Sequence, residues 1–256
     1  MFSWSQRLYI RSNFPELFKQ LFGKGRTSLN SPEMSTMAEI IKIDRAEAES
    51  QAHLAADSLK ASHVIAVPTD TIYGVAALAQ DSGAITKLFN VKRRNISKAV
   101  AISVGDIDDV YKWGKVTVSR ELLHDLLPGP VTLVFQRTPE LNPALNEGTS
   151  SVGIRIPDYD FVRSLARSCD GPIALTSANI TSEQSPLCIQ EFKCLWPQLH
   201  LVFDGGQLGN TPESRFGSTV IDLTKLGQFR IIREGSAFKP TVDLLLNKHN
   251  LKEAKS

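Results

Sequence analysis

HVIAVPTDTIYG, residues 63–74, changes character at its middle. His63 to Val67 is mostly apolar and β-branched, which predicts a buried strand. Pro68 ends the ladder because it has no N–H to donate. Thr69, Asp70, Thr71 and Tyr73 follow, closed by Gly74. Turn bonding by Asp and Thr side chains accounts for such a stretch in any protein. In an open α/β sheet, however, the carboxyl end of a strand is where ligands bind. The stretch therefore sets two expectations, an α/β sheet and a binding loop at its edge.

The same punctuation recurs along the chain. Strands are expected at Ile40–Ile43, Ala99–Val104, Val131–Phe135, Val152–Ile156, Pro172–Leu175, Leu199–Phe203, Thr219–Leu223 and Phe229–Ile232. Helices are expected at Arg45–Leu59, capped by Asp44 with Glu47 three residues on, and after Ser82. Further helices are expected at Ile107–Trp113, Ser119–Leu127, Tyr159–Ser168, Ile189–Trp196 and Thr241–Leu251. Helices and strands alternate early and strands crowd late, which predicts one α/β domain on a mixed sheet, over residues 39–240, with a helical tail at 241–256.

Composition bounds the function. The 256 residues are 42% hydrophobic and 22% charged, ordinary for a globular chain. No apolar run approaches the roughly 20 residues of a membrane span. The three cysteines form no C-x-x-C pair, which fits a reducing compartment. Residues 1–32 carry +4 of the net +2, so the rest of the chain stands at −2. That first segment is rich in Arg and Ser, and Phe14, Leu17, Phe18, Leu21 and Phe22 share one helical face. It reads as a mitochondrial targeting segment or, failing that, a disordered extension.

The isolated histidines, and the lack of H-E-x-x-H, G-x-S-x-G, P-loop and G-x-G-x-x-G patterns, argue against a protein-held metal, a nucleophilic triad and a conventional phosphate cradle. What remains is polar clusters at the ends of apolar strands: Thr69–Tyr73, Ser151 with Arg155, Thr176–Asn179, and Ser218–Thr219. Lys92, Arg94, Lys98 and Arg233 add fixed cations. Hydroxyls, amides and cations without a strong base suit a zwitterion and a polyphosphate. Arg155, inside an apolar strand, needs an anionic partner, because a buried unpaired guanidinium is costly.

Seven motifs then occur in order: PTDTIYG, K-x-R-x-x-x-K (Lys92, Arg94, Lys98), PGPVT, VGIRIP, TSAN, STV and REG. Together they resemble the YrdC/Sua5 family, the threonylcarbamoyl-AMP synthases, over about residues 40–240. Ala99, Leu127 and Thr181-Ser182 depart from the family pattern without removing a charge.

The resemblance implies a YrdC-like twisted open sheet flanked by helices. It implies that L-threonine, bicarbonate and ATP become threonylcarbamoyl-adenylate and pyrophosphate. Mg2+ would come with ATP, and a downstream threonylcarbamoyl transferase would use the product on adenosine 37 of tRNA, in cytoplasm and mitochondrion. By motif position, Thr71, Ser103, Arg155, Ser177 and Ser218 would hold threonine. Arg94, Lys98, Ser151, Asn179, Ser185 and Arg233 would surround ATP, with Lys92 and Arg94 as catalytic cations. The alternative is a non-catalytic module that binds double-stranded RNA or tRNA on its basic residues, and tRNA contact is possible under either reading.

Overall fold

The computed structural model describes residues 38–92, 99–169, 171–180 and 183–254. Residues 1–37 lie outside them, and with them the expected targeting segment, as do Arg94 and Lys98.

Twelve strands among the described residues form one mixed sheet: β1 (Glu39–Lys42), β2 (Ile65–Val67), β3 (Gly74–Leu78), β4 (Ala101–Ser103), β5 (Gly114–Lys115), β6 (Val131–Arg137), β7 (Ser151–Arg155), β8 (Ile173–Ser177), β9 (Leu201–Asp204), β10 (Thr219–Asp222), β11 (Gln228–Arg233) and β12 (Lys252–Glu253). Their order is β1-β9-β2-β3-β8-β4-β7-β6-β10-β11-β12, with β5 paired to β6. Parallel pairs such as β4 with β7 are mixed with antiparallel pairs such as β8 with β4. The helices are α1 (Ala48–Lys60), α2 (Ser82–Val91), α3 (Ile107–Trp113), α4 (Arg120–Leu126), α5 (Asp160–Ser168) and α6 (Phe238–Asp243), with a 3₁₀ helix at Ile189–Gln198.

Strand alternation divides the side chains between the two faces of the sheet. Ala66, Val75, Ala77, Ile102, Val131, Leu133, Phe135, Val152, Ile154, Ala174, Val202 and Ile221 point into one core, covered by α2, α3, α4 and the 3₁₀ helix. On the opposite face, Ile65, Val67, Ala76, Ile173, Leu201 and Phe203 pack under α1 and α5. Among the described residues, those two helices pack on β9, β2, β3 and β8. The inward positions of β4, β7, β6 and β10 form the floor of a cavity instead.

Several local expectations are corrected. The helix expected from Arg45 begins at Ala48, and no side chain caps it. Asp44 Oδ1 instead accepts from the Ala46 amide at 2.9 Å, and Gln51 bridges Asp44 N to the Lys42 carbonyl. The cap of α2 is Asp81, which accepts from Gly83 N and Ala84 N; Ser82 is the first helical residue. The helix expected at Thr241 starts at Phe238, continues as a π-helical turn over Leu244–Lys248, and gives way to β12, parallel to β11. β3 was not expected. It pairs antiparallel with β2, so residues 68–73 form the turn of a hairpin instead of a strand-to-helix loop.

Candidate active site

A cavity of about 810 Å³ opens on the β4-β7-β6-β10 part of the sheet, within the 300–1,000 Å³ typical of small-molecule sites. Its floor is built by period-two alternation. Ser151, Gly153 and Arg155 face it from β7, Ala101 and Ser103 from β4, Thr132 and Val134 from β6, and Val220 from β10. Ser103 stands directly beside Arg155 in the β4–β7 register. Thr69, Ile72 and Tyr73 form one wall, Leu175 to Ser177 another, and Ser218, Ile232 and Arg233 a third.

The hairpin turn is stiffened from within. Thr69 Oγ1 accepts from the amides of Thr71 and Ile72 and lies 3.1 Å from Thr71 Oγ1. Tyr73 is fully buried; its hydroxyl donates to the Gly206 carbonyl at 2.7 Å and accepts from Gly205 N at 2.9 Å. Burial raises its pKa well above that of an ordinary tyrosine, so it remains a neutral strut.

Arg155 is buried, and its partner is a protein carboxylate. Nη2 donates to Asp70 Oδ1 and, at 3.0 Å, to Thr71 Oγ1. The anionic partner that the sequence demanded is therefore Asp70, on the opening stretch itself. Arg155 Nε remains buried with no partner, as do Asp70 Oδ2 and Ser103 Oγ. Burial lowers the Arg155 pKa; Asp70 opposes this, and the charge of Arg233 adds to it. Two guanidiniums thus face one cavity, one of them neutralised by a carboxylate.

The Ser218 and Arg233 corner depends on close backbone contact. A Cβ on Gly235 would come within 2.3 Å of Ser218 C and Thr219 N, so only glycine lets the chain after β11 lie on the start of β10. That contact brings Arg233 Nε and Nη2 to the Ser218 carbonyl, at 3.2 and 2.8 Å. Ser218 Oγ bonds Thr132 Oγ1 at 2.8 Å. The STV, REG and PGPVT motifs are one piece of structure.

The remaining residues fall into three groups. Ser151 and Ser177 line the cavity with Ser103, Arg155, Ser218 and Arg233. Thr71 is buried and outside the lining, with its Oγ1 accepting from Arg155 Nη2 at 3.0 Å. Lys92 does not line the cavity; it is buried, and its Nζ donates to the Ser177 carbonyl and, at 3.2 Å, to Ser177 Oγ. Asn179 and Ser185 are likewise outside the lining. Asn179 Nδ2 donates to the Glu183 carbonyl at 2.6 Å, and the Ser185 carbonyl accepts from Arg215 at 2.7 Å. Sequence reasoning passed over Thr132 and left Asp70 and Thr69 without a role. The signal for Asp70 was present, an acid between two threonines on the turn facing a buried arginine.

Among the described residues, no group of three or more His, Cys, Asp or Glu is placed to hold a metal.

The family model of the Sua5/YciO/YrdC group, described as "telomere recombination", matches residues 57–235. The human protein named threonylcarbamoyl-AMP synthase is 46% identical over 234 residues, covering 91% of this chain and 80% of the relative. The mouse protein of the same name is 47% identical over 223 residues, 86% of this chain and 76% of its own. Pyrococcus abyssi Sua5, in a structure complexed with L-threonine, superposes with a TM-score of 0.73 at 24% identity. That superposition covers 86% of this chain and 63% of the longer archaeal one. Escherichia coli YciO superposes with a TM-score of 0.68 at 23% identity, over 78% of this chain and 96% of its own.

Proposed function

Because the chain belongs to the Sua5/YciO/YrdC family, we propose that it has the activity for which its mammalian relatives are named, threonylcarbamoyl-AMP synthesis. The observation that carries the reading is the cavity floor. A buried guanidinium with a partnerless Nε stands beside a partnerless serine hydroxyl, a place prepared for a small carboxylic acid.

Threonine lies with its carboxylate toward Arg155, among Thr71, Ser103, Ser177 and Ser218. Its amine captures CO2 derived from bicarbonate, and the resulting carbamate attacks the α-phosphate of ATP. Negative charge grows on the phosphoryl oxygens and on the leaving pyrophosphate. Fixed cations, Arg94 and Lys98 with Arg233, meet it, and orientation accounts for most of the remaining acceleration. Ser151, Asn179 and Ser185 complete the nucleotide side. Lys92 acts through Ser177, whose carbonyl and hydroxyl it holds. Mg2+ arrives with ATP and neutralises phosphate charge; no step is assigned to it.

The product goes to a separate transferase that modifies adenosine 37 of tRNA. Residues 1–32 direct a fraction of the protein to mitochondria, the rest working in the cytoplasm. That reading rests on the +4 charge and the Phe14–Phe22 face. Deleting 1–32 abolishes import and leaves activity intact; import of the truncated protein would refute it.

Pyrophosphate release that requires threonine and bicarbonate tests the synthase reading. Arg94→Ala lowers turnover roughly 10²–10³-fold with little change in threonine affinity. RNA binding without such turnover would favour the nucleic-acid module instead, recognisable by its steep salt dependence.

A further inference from the structure

Arg155 and Arg233 face the same cavity, and each lowers the cost of an anion there. Two guanidiniums with serine and threonine hydroxyls between them make a good phosphate cradle. On the synthase reading, ATP and pyrophosphate share this cavity with the amino acid, so phosphate has to be kept away from the arginine that binds the amino acid. Asp70 is placed to do this. Its Oδ1 takes Arg155 Nη2, and both side chains are 10% exposed. Its Oδ2 is buried and makes no hydrogen bond, so Arg155 is the cation its carboxylate is paired with. Thr71 accepts from the same nitrogen at 3.0 Å and fixes the plane of the guanidinium. Arg233, by contrast, donates to the Ser218 carbonyl and hydroxyl, which are neutral, and keeps its full charge.

We propose that Asp70 determines specificity by cancelling the net charge of Arg155, which reserves that arginine for the carboxylate of a zwitterion and leaves Arg233 for phosphate. The inference rests on the threonine reading of the cavity. Its physical basis is a difference of charges. Threonine is neutral overall and gains from Arg155 by local hydrogen bonds, so the nearby carboxylate costs it little. Inorganic phosphate carries between one and two negative charges near neutral pH and is repelled by that carboxylate. Selectivity of this kind comes from a repulsive element as much as from an attractive one.

The test is calorimetric titration of the full chain with L-threonine and, separately, with inorganic phosphate and pyrophosphate. In wild type, saturating phosphate changes threonine affinity by less than about twofold. In Asp70→Asn, which keeps an oxygen for Nη2 and removes the charge, phosphate affinity itself rises roughly 10–100-fold while threonine affinity stays within about threefold, and the ratio of the two shifts accordingly. Phosphate then also competes with threonine. Asp70→Glu, which keeps the charge, restores most of the wild-type ratio. If Asp70→Asn weakens threonine and leaves phosphate unchanged, Asp70 only props Arg155 and the proposal fails. If Asp70→Asn does not fold, the wild-type titration still decides: phosphate that competes with threonine there shows that Arg155 already accepts phosphate. Wild type that binds phosphate but no threonine overturns both this inference and the synthase reading. Threonine binding with an unshifted ratio overturns the inference alone.

Discussion

One face of the sheet has two halves that obey the same alternation and serve opposite ends. Under α1 and α5 the inward positions are Ile65, Val67, Ile173, Leu201 and Phe203, with Phe161 and Leu165 interleaved from α5. Phe161 and Phe203 meet at 4.8 Å between ring centres. Toward β6 and β10 the equivalent positions are Ala101, Ser103, Thr132, Ser151, Gly153 and Arg155, which line the cavity. Leu175 belongs to both, packed against the first group and lining the cavity of the second. The packed half stabilises the sheet by apolar burial. The open half leaves buried polar atoms without partners, an arrangement that costs stability unless a ligand supplies them.

The largest effect expected from this division is in the packed half. Phe203→Ala deletes a fully buried ring and is expected to destabilise the fold by about 3–5 kcal/mol in chemical denaturation. Threonine affinity per folded molecule is expected to stay within twofold. A large affinity loss in the molecules that remain folded would show that the two halves are coupled through Leu175, and the comparison would break.

Next comes the charge at the centre of the open half. Arg155→Leu leaves Asp70 buried without its cation and is expected to cost about 3 kcal/mol. Adding Asp70→Asn to the same chain removes the stranded charge and is expected to recover most of that loss, while threonine binding stays absent. A double variant no more stable than the single one would mean that Arg155 supports the fold through contacts other than Asp70.

Ser103→Ala sharpens the comparison from the other direction. The hydroxyl is fully buried and has no protein partner. Its removal is expected to leave melting unchanged or to stabilise by up to about 1 kcal/mol, because no bond is lost and a desolvated group is gone. Threonine affinity is expected to fall roughly tenfold. Loss of stability with unchanged affinity would place Ser103 in the architecture and remove it from the site.

These residues also show what could be read from the chain. Val152 and Ile154 alternating with Ser151, Gly153 and Arg155 announce a strand with one apolar and one polar face, and the structure has that strand. β3 was hidden because GVAAL holds only one β-branched residue; its alanines suit a position buried on both faces. The cap at Asp81 was missed in favour of the neighbouring Ser82, since either side chain is suited to the role and one residue of register decides. Arg155 announced that it required an anion. That the anion is Asp70, 85 residues earlier, depends on how β2, β3, β8, β4 and β7 are ordered, which local pattern does not encode. The same holds for Lys92, which looked like a helix-end cation and is instead tied to Ser177 across 85 residues.

A second arginine–aspartate pair gives the smallest effect and the cleanest control for the first. Arg167, on α5, donates from Nε to Asp106 Oδ2 at 2.9 Å and from Nη2 to Asp106 Oδ1 at 2.7 Å. The geometry is bidentate, yet both side chains are about half exposed. Water already solvates these charges, so pairing them gains little; exposed pairs contribute roughly 0–1 kcal/mol. The hydrogen bond from Arg167 holds the Asp106 pKa below the ordinary aspartate value. A depressed carboxylate contributes its stability above the unfolded-state pKa and loses it as pH falls through the folded-state one. Arg167→Gln is therefore expected to cost no more than about 1 kcal/mol at neutral pH, and less in 1 M salt. The difference from wild type should shrink below about pH 4 as Asp106 is protonated in both proteins. Denaturation curves at pH 7 and pH 3 decide the matter. A cost near that of Arg155→Leu, insensitive to salt and to pH, would mean that burial is not what separates the two pairs.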